Sequence, residues 1–430
     1  MRKYSSGLLF IVAPLIVLAP PDPVDGGQLF TSQNEAKPYT IWEEIGLFPA
    51  FDYSADKGFG YGIIFQSDDK RSPEYQPYYL SHRLTLQRTT RGIADYQYRL
   101  DSKYLLPADL RLTFEARYQV SLFEPYHGPG GAQTLFDHRY IDPDSPADQY
   151  CGKYYYTFDK RYLLVNAVVQ GRLKREDLRW LACLIILSTK VDTIDYAEHD
   201  EGPGLQTLLA LHWDLQGQDM GGGNENGFMV GLVWDRRDHE TSPHKGFWSE
   251  VLLRWVPNMP GNDFDYVALT ATHRHYLPLF DPLTLAFRLS GRIISDGGPF
   301  FSLSRLDGSF ITETAVGGKK TVRGILWQRA LGERFLYGNL ELRYRILPLF
   351  RTGYLAGSAF YDFGRTFDRP PPGDIADRGD GQDRWHRGLG LGGRVALNAT
   401  FIAALDVALP VDKTMDGPGL KVYIGLDWLF

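Results

Sequence analysis

The stretch LRLTFEARYQVSL, residues 110–122, alternates between apolar and polar side chains at every position. The odd-numbered members of this stretch are Arg, Thr, Glu, Gln or Ser, and the even-numbered members are all apolar. A period of two is the pattern of a β-strand whose two faces meet different media. The run is longer than a soluble strand of about six residues. It fits a tilted strand that crosses an outer membrane, with lipid on one face and water on the other.

Comparable runs recur from residue 45 to the end of the chain, and we count about sixteen of them. In one example Val251, Leu253 and Trp255 alternate with charged positions that include Glu250 and Arg254. An even number of strands allows both chain ends to lie on the same side of the membrane. The pattern predicts an all-β fold, a 16-stranded antiparallel transmembrane β-barrel of the outer membrane.

The connections between these runs alternate in length. Every second connection is short, whereas four of the others are long, at about 123–156, 192–225, 297–334 and 365–385. Short periplasmic turns and long outer loops are typical of an outer-membrane barrel. A soluble β-sandwich offers no reason for this asymmetry.

The overall composition agrees with a barrel and excludes other classes. Aromatic residues make up 14% of the 430 residues, and barrels carry aromatic girdles at both membrane interfaces. No apolar stretch of about 18 or more residues follows the N-terminal region, which excludes a helical membrane bundle. The net charge of −6 argues against a nucleic-acid partner.

The N-terminal region has the features of a signal peptide. Arg2 and Lys3 precede the apolar segment Gly7–Ala19. We therefore expect a signal peptide over 1–26, a short periplasmic segment over 27–44 and the barrel over 45–430. This organisation predicts export to the outer membrane of a Gram-negative bacterium.

The sixth outer loop is the strongest candidate for a functional segment. It spans almost forty residues, and long loops without regular structure are usually functional. A sixteen-stranded barrel leaves an aqueous lumen unless something fills it. We expect this loop to fold into the lumen. Arg323, carried inward by the loop, would then need a carboxylate partner because an unpaired buried charge is costly.

Two motifs give the chain a family resemblance. Val322-Arg323-Gly324 in the sixth loop resembles the VRG[FY] motif of the BamA/TamA-type outer-membrane insertase superfamily, the bacterial surface antigen family. Phe360, Asp362 and Gly364 match the F-x-D-x-G motif of the same family on strand 13. The segment 235–238, with Pro243 and Gly246, is similar to the family's turn between strands 8 and 9, and 388–394 to its Gly-rich strand 14.

The resemblance covers the barrel and implies a contact between the sixth loop and strand 13. In the family the loop arginine pairs with the strand-13 aspartate, so Arg323 is expected to pair with Asp362, and Glu341 is a further candidate partner. The pair would lock the loop in the lumen. Ile325 departs from the family pattern, which usually has an aromatic residue there. This departure is expected to weaken the packing of the loop tip.

The last predicted strand, 419–430, ends in a sorting feature. Val422, Ile424, Leu426, Trp428 and Phe430 alternate, and we expect them to face outward. Tyr423, Gly425, Trp428 and Phe430 resemble the β-signal that the bacterial barrel-assembly machinery reads. The feature predicts that this machinery is a partner in the chain's own insertion.

Most members of the resembling family carry periplasmic POTRA domains of roughly 75 residues each before the barrel. The segment before the first strand is too short for one, so we expect a barrel-only member. The expected function is an insertase or translocation component of outer-membrane protein assembly. Its expected partners are outer-membrane lipid and lipopolysaccharide, client barrel proteins and a separate periplasmic partner.

Three alternatives to that function remain open. A passive pore would use lumen charges to tune permeation, and a structural surface protein would need neither pore nor seam. A barrel-wall lipase would need Ser or His on the lipid-facing side near the outer interface. The sequence has no nucleophile–base motif, so we predict no enzyme, no cofactor and no metal site. His273 and His275 share a strand face. We interpret them as a pair that faces the lumen or an interface, which is commoner than a metal site.

Overall fold

A computed structural model describes residues 44–430. Its gaps are residues 70, 72–77, 109, 131–135, 175–176, 197–204, 217–220, 241, 310–311, 315, 350–352, 368–384, 397–401, 413–418 and 427. The expected signal peptide and nearly all of the expected periplasmic segment lie outside the described residues. No helix in the part of the chain that is described is long and apolar enough to cross a membrane.

Sixteen antiparallel strands form one closed sheet, which confirms the predicted barrel. The strands are β1 Glu44–Ser54, β2 Gly58–Asp69, β3 Leu80–Thr89, β4 Ile93–Ser102, β5 Arg111–Pro125, β6 Thr157–Arg172, β7 Leu178–Asp192, β8 Gly227–Asp235, β9 Gly246–Val256, β10 Tyr266–Phe280, β11 Leu283–Ile294, β12 Arg334–Leu349, β13 Gly353–Thr366, β14 His386–Ala396, β15 Ile402–Pro410 and β16 Lys421–Leu426.

Shorter elements lie between the barrel strands. The short segment Gly222–Asn224 precedes β8 in the chain and, like β8, pairs with β7. It therefore belongs to the same sheet. Helix α1, Leu208–Gln216, lies in the connection before it. The connection from β11 to β12 holds a small hairpin, Arg305–Leu306 with Glu313–Thr314.

Side chains alternate across the barrel wall as the sequence predicts. On β9, Val251, Leu253 and Trp255 are 43–51% exposed on the outer surface, whereas Glu250 and Arg254 are buried inside. The same alternation holds on β12, where Leu340 and Leu342 face outward. Burying apolar side chains in lipid and charged side chains in the interior satisfies both media at once.

The connections differ in length at the two ends of the barrel. We call the end with the long connections the loop end and the opposite end the turn end. The predicted long loops lie at the loop end, between β5 and β6, β7 and β8, β11 and β12, and β13 and β14. Buried side chains from three of these loops pack together there in one hydrophobic cluster. Its members include Tyr126, Tyr155, Leu208, Phe301 and Leu331.

The last strand is shorter than predicted, and its expected outward row is partly wrong. Ile424 and Leu426 face outward, but β16 ends at Leu426, and Trp428 and Phe430 are buried. Phe430 packs against Tyr276 of β10 with ring centroids 6.2 Å apart. These aromatic side chains point inward because they pack there against inward-facing apolar residues and arginines.

Three arginines surround this buried segment. The Arg343 guanidinium lies 4.4 Å from the Trp428 ring and 4.7 Å from the Phe430 ring. Arg394 lies 4.9 Å from Trp428, and Arg288 lies 5.0 Å from Phe430. Cation–π contacts of this kind stabilise desolvated pairs. The segment therefore occupies the lumen near the turn end.

Candidate functional site

Arg323 lies at the centre of a buried ion-pair cluster in the lumen. Its guanidinium donates from Nε to Asp362 Oδ2 at 2.7 Å and from Nη2 to Asp362 Oδ1 at 3.0 Å. Its backbone N–H donates to the same Asp362 Oδ2 at 3.0 Å. Both side chains are fully buried. A planar guanidinium suits a carboxylate in this two-bond arrangement.

Three further groups contact the same guanidinium. Glu341 Oε1 lies 2.7 Å from Arg323 Nη2, although the alignment is poor for a hydrogen bond. Asp406 Oδ2 lies 3.3 Å from Nη1. The Phe360 ring lies beneath the guanidinium carbon, 3.4 Å from ring centroid to carbon. The structure thus brings together Arg323, Asp362, Glu341 and Phe360 from the two sequence motifs and their neighbouring strand.

Charges within the cluster balance. Arg343 donates to Glu341 at 2.8 Å, and Arg394 donates to Asp406 at 2.7 Å. With the central Arg323, three guanidinium groups therefore face the three carboxylates of Glu341, Asp362 and Asp406. Buried charge is tolerated where each group has a partner. Removing one member would leave an opposite charge uncompensated.

Asp406 and Arg394 are members that the sequence interpretation missed. A signal was available: Asp406 is the only charged residue in β15, whose other members are apolar or Pro. An isolated carboxylate on the inward row of a membrane strand needs a cation nearby. Arg394 ends the Gly-rich segment 388–394, which resembles the family's strand 14, and Arg394 and Asp406 lie on neighbouring strands.

The F-x-D-x-G spacing has a direct physical reason. Residues i, i+2 and i+4 of a strand share one face, so Phe360, Asp362 and Gly364 all point at the loop. A Cβ at position 364 would lie 2.5 Å from Val316 Cγ1 and 3.0 Å from Val322 Cγ2. The three positions therefore supply a ring for the cation, a carboxylate for its charge and room for the loop.

Gly324 and Gly388 allow the loop backbone to approach the wall. Gly324 has φ +86°, in the left-handed region that favours glycine, and its Cβ would lie 2.8 Å from the Leu409 carbonyl oxygen. A Cβ at Gly388 on β14 would overlap the carbonyl oxygen of Arg323. Ile325, which departs from the family pattern, is fully buried with Val316, Val322 and Tyr337.

The loop also crosses the seam where the barrel closes. Among the described residues, strand β1 pairs with β16 at two positions, Tyr53 with Ile424 and Ser54 with Tyr423, and the backbone N–H of Ala55 donates to the Val422 carbonyl oxygen at 3.2 Å. By contrast, β1 pairs with β2 at eleven positions, and β15 with β16 at six. The seam is therefore thinly paired on one side of β1.

Loop residues contact both strands of the seam. Lys319 Nζ donates to the Ile424 carbonyl oxygen at 2.7 Å and lies 3.4 Å from Asp52 Oδ2 on β1. The backbone N–H of Gly324 donates to the Tyr423 hydroxyl at 3.2 Å. A Cβ at Gly425 would lie 2.5 Å from Lys319 Nζ, so this glycine leaves room for the lysine. Tyr423 and Gly425 thus contact the loop, and their sorting role stays a prediction.

The turn between β8 and β9 spans 236–245, where the family resemblance places it. Asp238 Oδ1 accepts hydrogen bonds from the backbone N–H groups of His239, His244 and Lys245 at 2.9–3.1 Å. A carboxylate that caps three backbone donors fixes the turn. Across residues 44–430 with their gaps, no group of three or more His, Cys, Asp or Glu could hold a metal ion.

These features define a transmembrane β-barrel whose long sixth loop contacts the barrel strands and both sides of the closing seam. The family model of the Omp85 superfamily domain matches residues 189–428, and the chain belongs to the Omp85 superfamily. Barrels of this superfamily are outer-membrane proteins of Gram-negative bacteria that act in protein insertion or transport. No curated protein matches the sequence significantly.

Two solved structures show the same fold. The chain is similar to BamA from Haemophilus ducreyi lacking POTRA domains 1-3, with a TM-score of 0.58 and 11% identity over 90% of this chain and 76% of that one. It is also similar to CdiB from Escherichia coli, with a TM-score of 0.54 and 10% identity. That match covers 91% of this chain and 64% of CdiB, which is less than two thirds of its length.

Proposed function

We propose that this chain is an insertase or translocation component of outer-membrane protein assembly, and that the seam between β1 and β16 is its working part. The observation that carries this proposal is the difference in pairing along the two edges of β1. Among the described residues, eleven positions pair with β2 and two with β16. Membership of the Omp85 superfamily supports an activity of this kind.

An edge strand with unpaired backbone groups is a template for another strand. Positions Glu44–Asp52 of β1 have no register partner on β16 among the residues that the structure describes. A client strand could add to this edge through main-chain hydrogen bonds. The outward side chains of this part of β1, including Ile45, Leu47 and Phe51, are exposed and would leave the added strand in contact with lipid.

The loop would couple the lumen to the seam. The Arg323–Asp362 pair would lock the loop to β13, and the same loop contacts both seam strands through Lys319. A movement of the loop would then remove the Lys319 contacts and loosen the seam. The burial of Arg323, Ile325 and Phe430 supports a lumen filled by the loop and by the segment 428–430, and a filled lumen disfavours the alternative of a passive pore.

The proposed partners follow from the activity. Client barrels would meet the seam, and a separate periplasmic protein with POTRA-like modules would deliver them at the turn end. Outer-membrane lipid and lipopolysaccharide would surround the barrel, and the barrel-assembly machinery would insert it. Location in the outer membrane of a Gram-negative bacterium is part of the same proposal.

Cross-linking in native outer membranes, followed by affinity purification and mass spectrometry, tests this function. We expect recovery of unfolded client barrels or of a periplasmic protein with POTRA-like modules, and a loss of client barrels from membranes when the chain is depleted. An unrelated outer-membrane barrel tagged in the same way is the control. Recovery of the barrel alone, together with normal client insertion after depletion, would overturn the proposal and favour a structural surface protein.

A further inference from the structure

Two histidines and a serine lie on the lipid-facing side of the barrel wall. Ser249 on β9 is directly opposite His273 on β10, and Phe247 is opposite His275. These positions belong to the same outward rows as Val251 and Leu269, which are 50% and 43% exposed. The sequence predicts that the histidines form a lumen or interface pair, and the structure places both on the lipid-facing side of the wall.

The polar groups of this patch are only partly satisfied by protein. Ser249 Oγ and His273 Nδ1 lie 2.8 Å apart in a hydrogen bond. His275 contacts His273 and Phe247 through its ring, at centroid distances of 5.6 and 6.1 Å. Within the described part of the chain, no side chain or backbone group hydrogen-bonds to the imidazole ring of His275. A polar ring that faces hydrocarbon without a partner is costly, so an external partner is expected.

An aromatic and cationic border lies beside the histidines, towards the turn end. Trp234 packs edge-on against Phe247 with centroids 4.9 Å apart, and its indole N–H donates to Asp177 at 3.0 Å. Arg236 Nε lies 3.4 Å from the same Asp177, and the Arg236 side chain is 55% exposed. Tryptophan and arginine in this arrangement are typical of the membrane–water interface, at the depth of lipid headgroups.

We propose that this patch, Trp234, Arg236, Phe247, Ser249, His273 and His275, binds the phosphate of a glycerophospholipid headgroup. Imidazole N–H groups and the Arg236 guanidinium are donors that suit phosphate oxygens. The acyl chains would lie along the apolar outward rows beside Val251 and Leu269. The patch is close to the turn end, where the short periplasmic turns lie. This position favours a glycerophospholipid over lipid A as the source of the phosphate.

The same patch does not meet the requirement for a barrel-wall lipase. That alternative needs its Ser and His near the loop end, whereas Ser249 follows the start of β9 at the turn end by three residues. Among the described residues, no carboxylate contacts His273 or His275. We therefore assign the patch to binding and not to hydrolysis.

Native mass spectrometry of the purified, delipidated full chain with added phosphatidylglycerol tests this site. In the variant His273→Leu with His275→Leu, we expect retained phosphatidylglycerol to fall about tenfold, as the loss of charge-assisted hydrogen bonds implies. Both positions face lipid, so leucine suits the fold. The control is Tyr61→Leu, an outward position on β2. It should retain phosphatidylglycerol as the unchanged chain does.

Three outcomes would overturn the proposal. The first is equal retention of phosphatidylglycerol by the double variant and the unchanged chain. The second is that the unchanged chain retains diacylglycerol, which has no phosphate, as well as it retains phosphatidylglycerol. The third is a preference for lipid A over phosphatidylglycerol, which would assign the patch to the other leaflet. A second variant, His273→Gln with His275→Gln, keeps polar side chains and should show intermediate retention.

Discussion

Replacing Asp362 with Asn is expected to destabilise the barrel by about 3–5 kcal/mol, the cost of removing one partner from a buried ion pair. Arg323 would keep its charge in a fully buried site, whereas the Asn amide offers one acceptor oxygen where the carboxylate offers two, and its NH2 group would face an Arg323 N–H donor. Glu341 and Asp406 would remain nearby, but neither meets the guanidinium with two aligned bonds. Urea unfolding of the chain in lipid vesicles, followed by loss of the heat-modifiable folded band, measures this effect.

A matched variant separates the effect of burying an ion pair from the effect of removing a carboxylate. Asp95→Asn removes a carboxylate that also pairs with an arginine in the barrel interior, Arg117, at 2.5 Å. That pair is 22–23% exposed, whereas Arg323 and Asp362 are fully buried, so its loss should cost less than the loss of Asp362. If Asp362→Asn proves no more destabilising than Asp95→Asn, the Arg323 cluster does not anchor the loop.

Replacing Gly388 with Ala is expected to displace the sixth loop from the wall of the barrel. A Cβ at this position would overlap the carbonyl oxygen of Arg323, and backbone atoms cannot move away as a flexible side chain can. Forcing atoms into a packed site costs about 1–3 kcal/mol. We expect faster cleavage of the loop by added protease and a lower unfolding midpoint.

Gly393 on the same strand provides the control. A Cβ at position 393 would meet nothing within 4 Å. Gly393→Ala should therefore leave both the protease pattern and the unfolding midpoint unchanged. Equal behaviour of Gly388→Ala and Gly393→Ala would contradict the close approach of the loop to β14.

The strand pattern could be predicted from the sequence because a barrel wall separates two media. Outward and inward rows differ in polarity on β9 and β12, so a period of two identifies them. On β7 both rows are apolar: Leu184 and Ile186 face lipid, and Leu181, Ile185 and Leu187 pack inside. Composition alone does not distinguish the two faces of such a strand.

Only those contacts of the sixth loop that involve its sequence motifs could be predicted. The pairing of Arg323 with Asp362 was an expectation of the family resemblance, whereas the contacts with Asp406, Lys319 and Tyr423 depend on the register between distant strands. The alternation of β16, extended to the C-terminus, predicts that Trp428 and Phe430 face outward, and this prediction is wrong. The strand ends at Leu426, where inward packing replaces strand pairing.

A disulfide across the seam tests the central claim most directly. Tyr53 and Ile424 are directly opposite and both face outward, which suits a Tyr53→Cys, Ile424→Cys pair. The native Cys151 and Cys183 are not joined in a disulfide and would first be replaced with Ser. Phe51→Cys with Tyr61→Cys, which joins β1 to β2, is the control. If the seam is the working part, oxidation of the seam pair stops insertion of client barrels, reduction restores it, and the control pair has no effect. Full insertion with the seam completely oxidised would contradict the account.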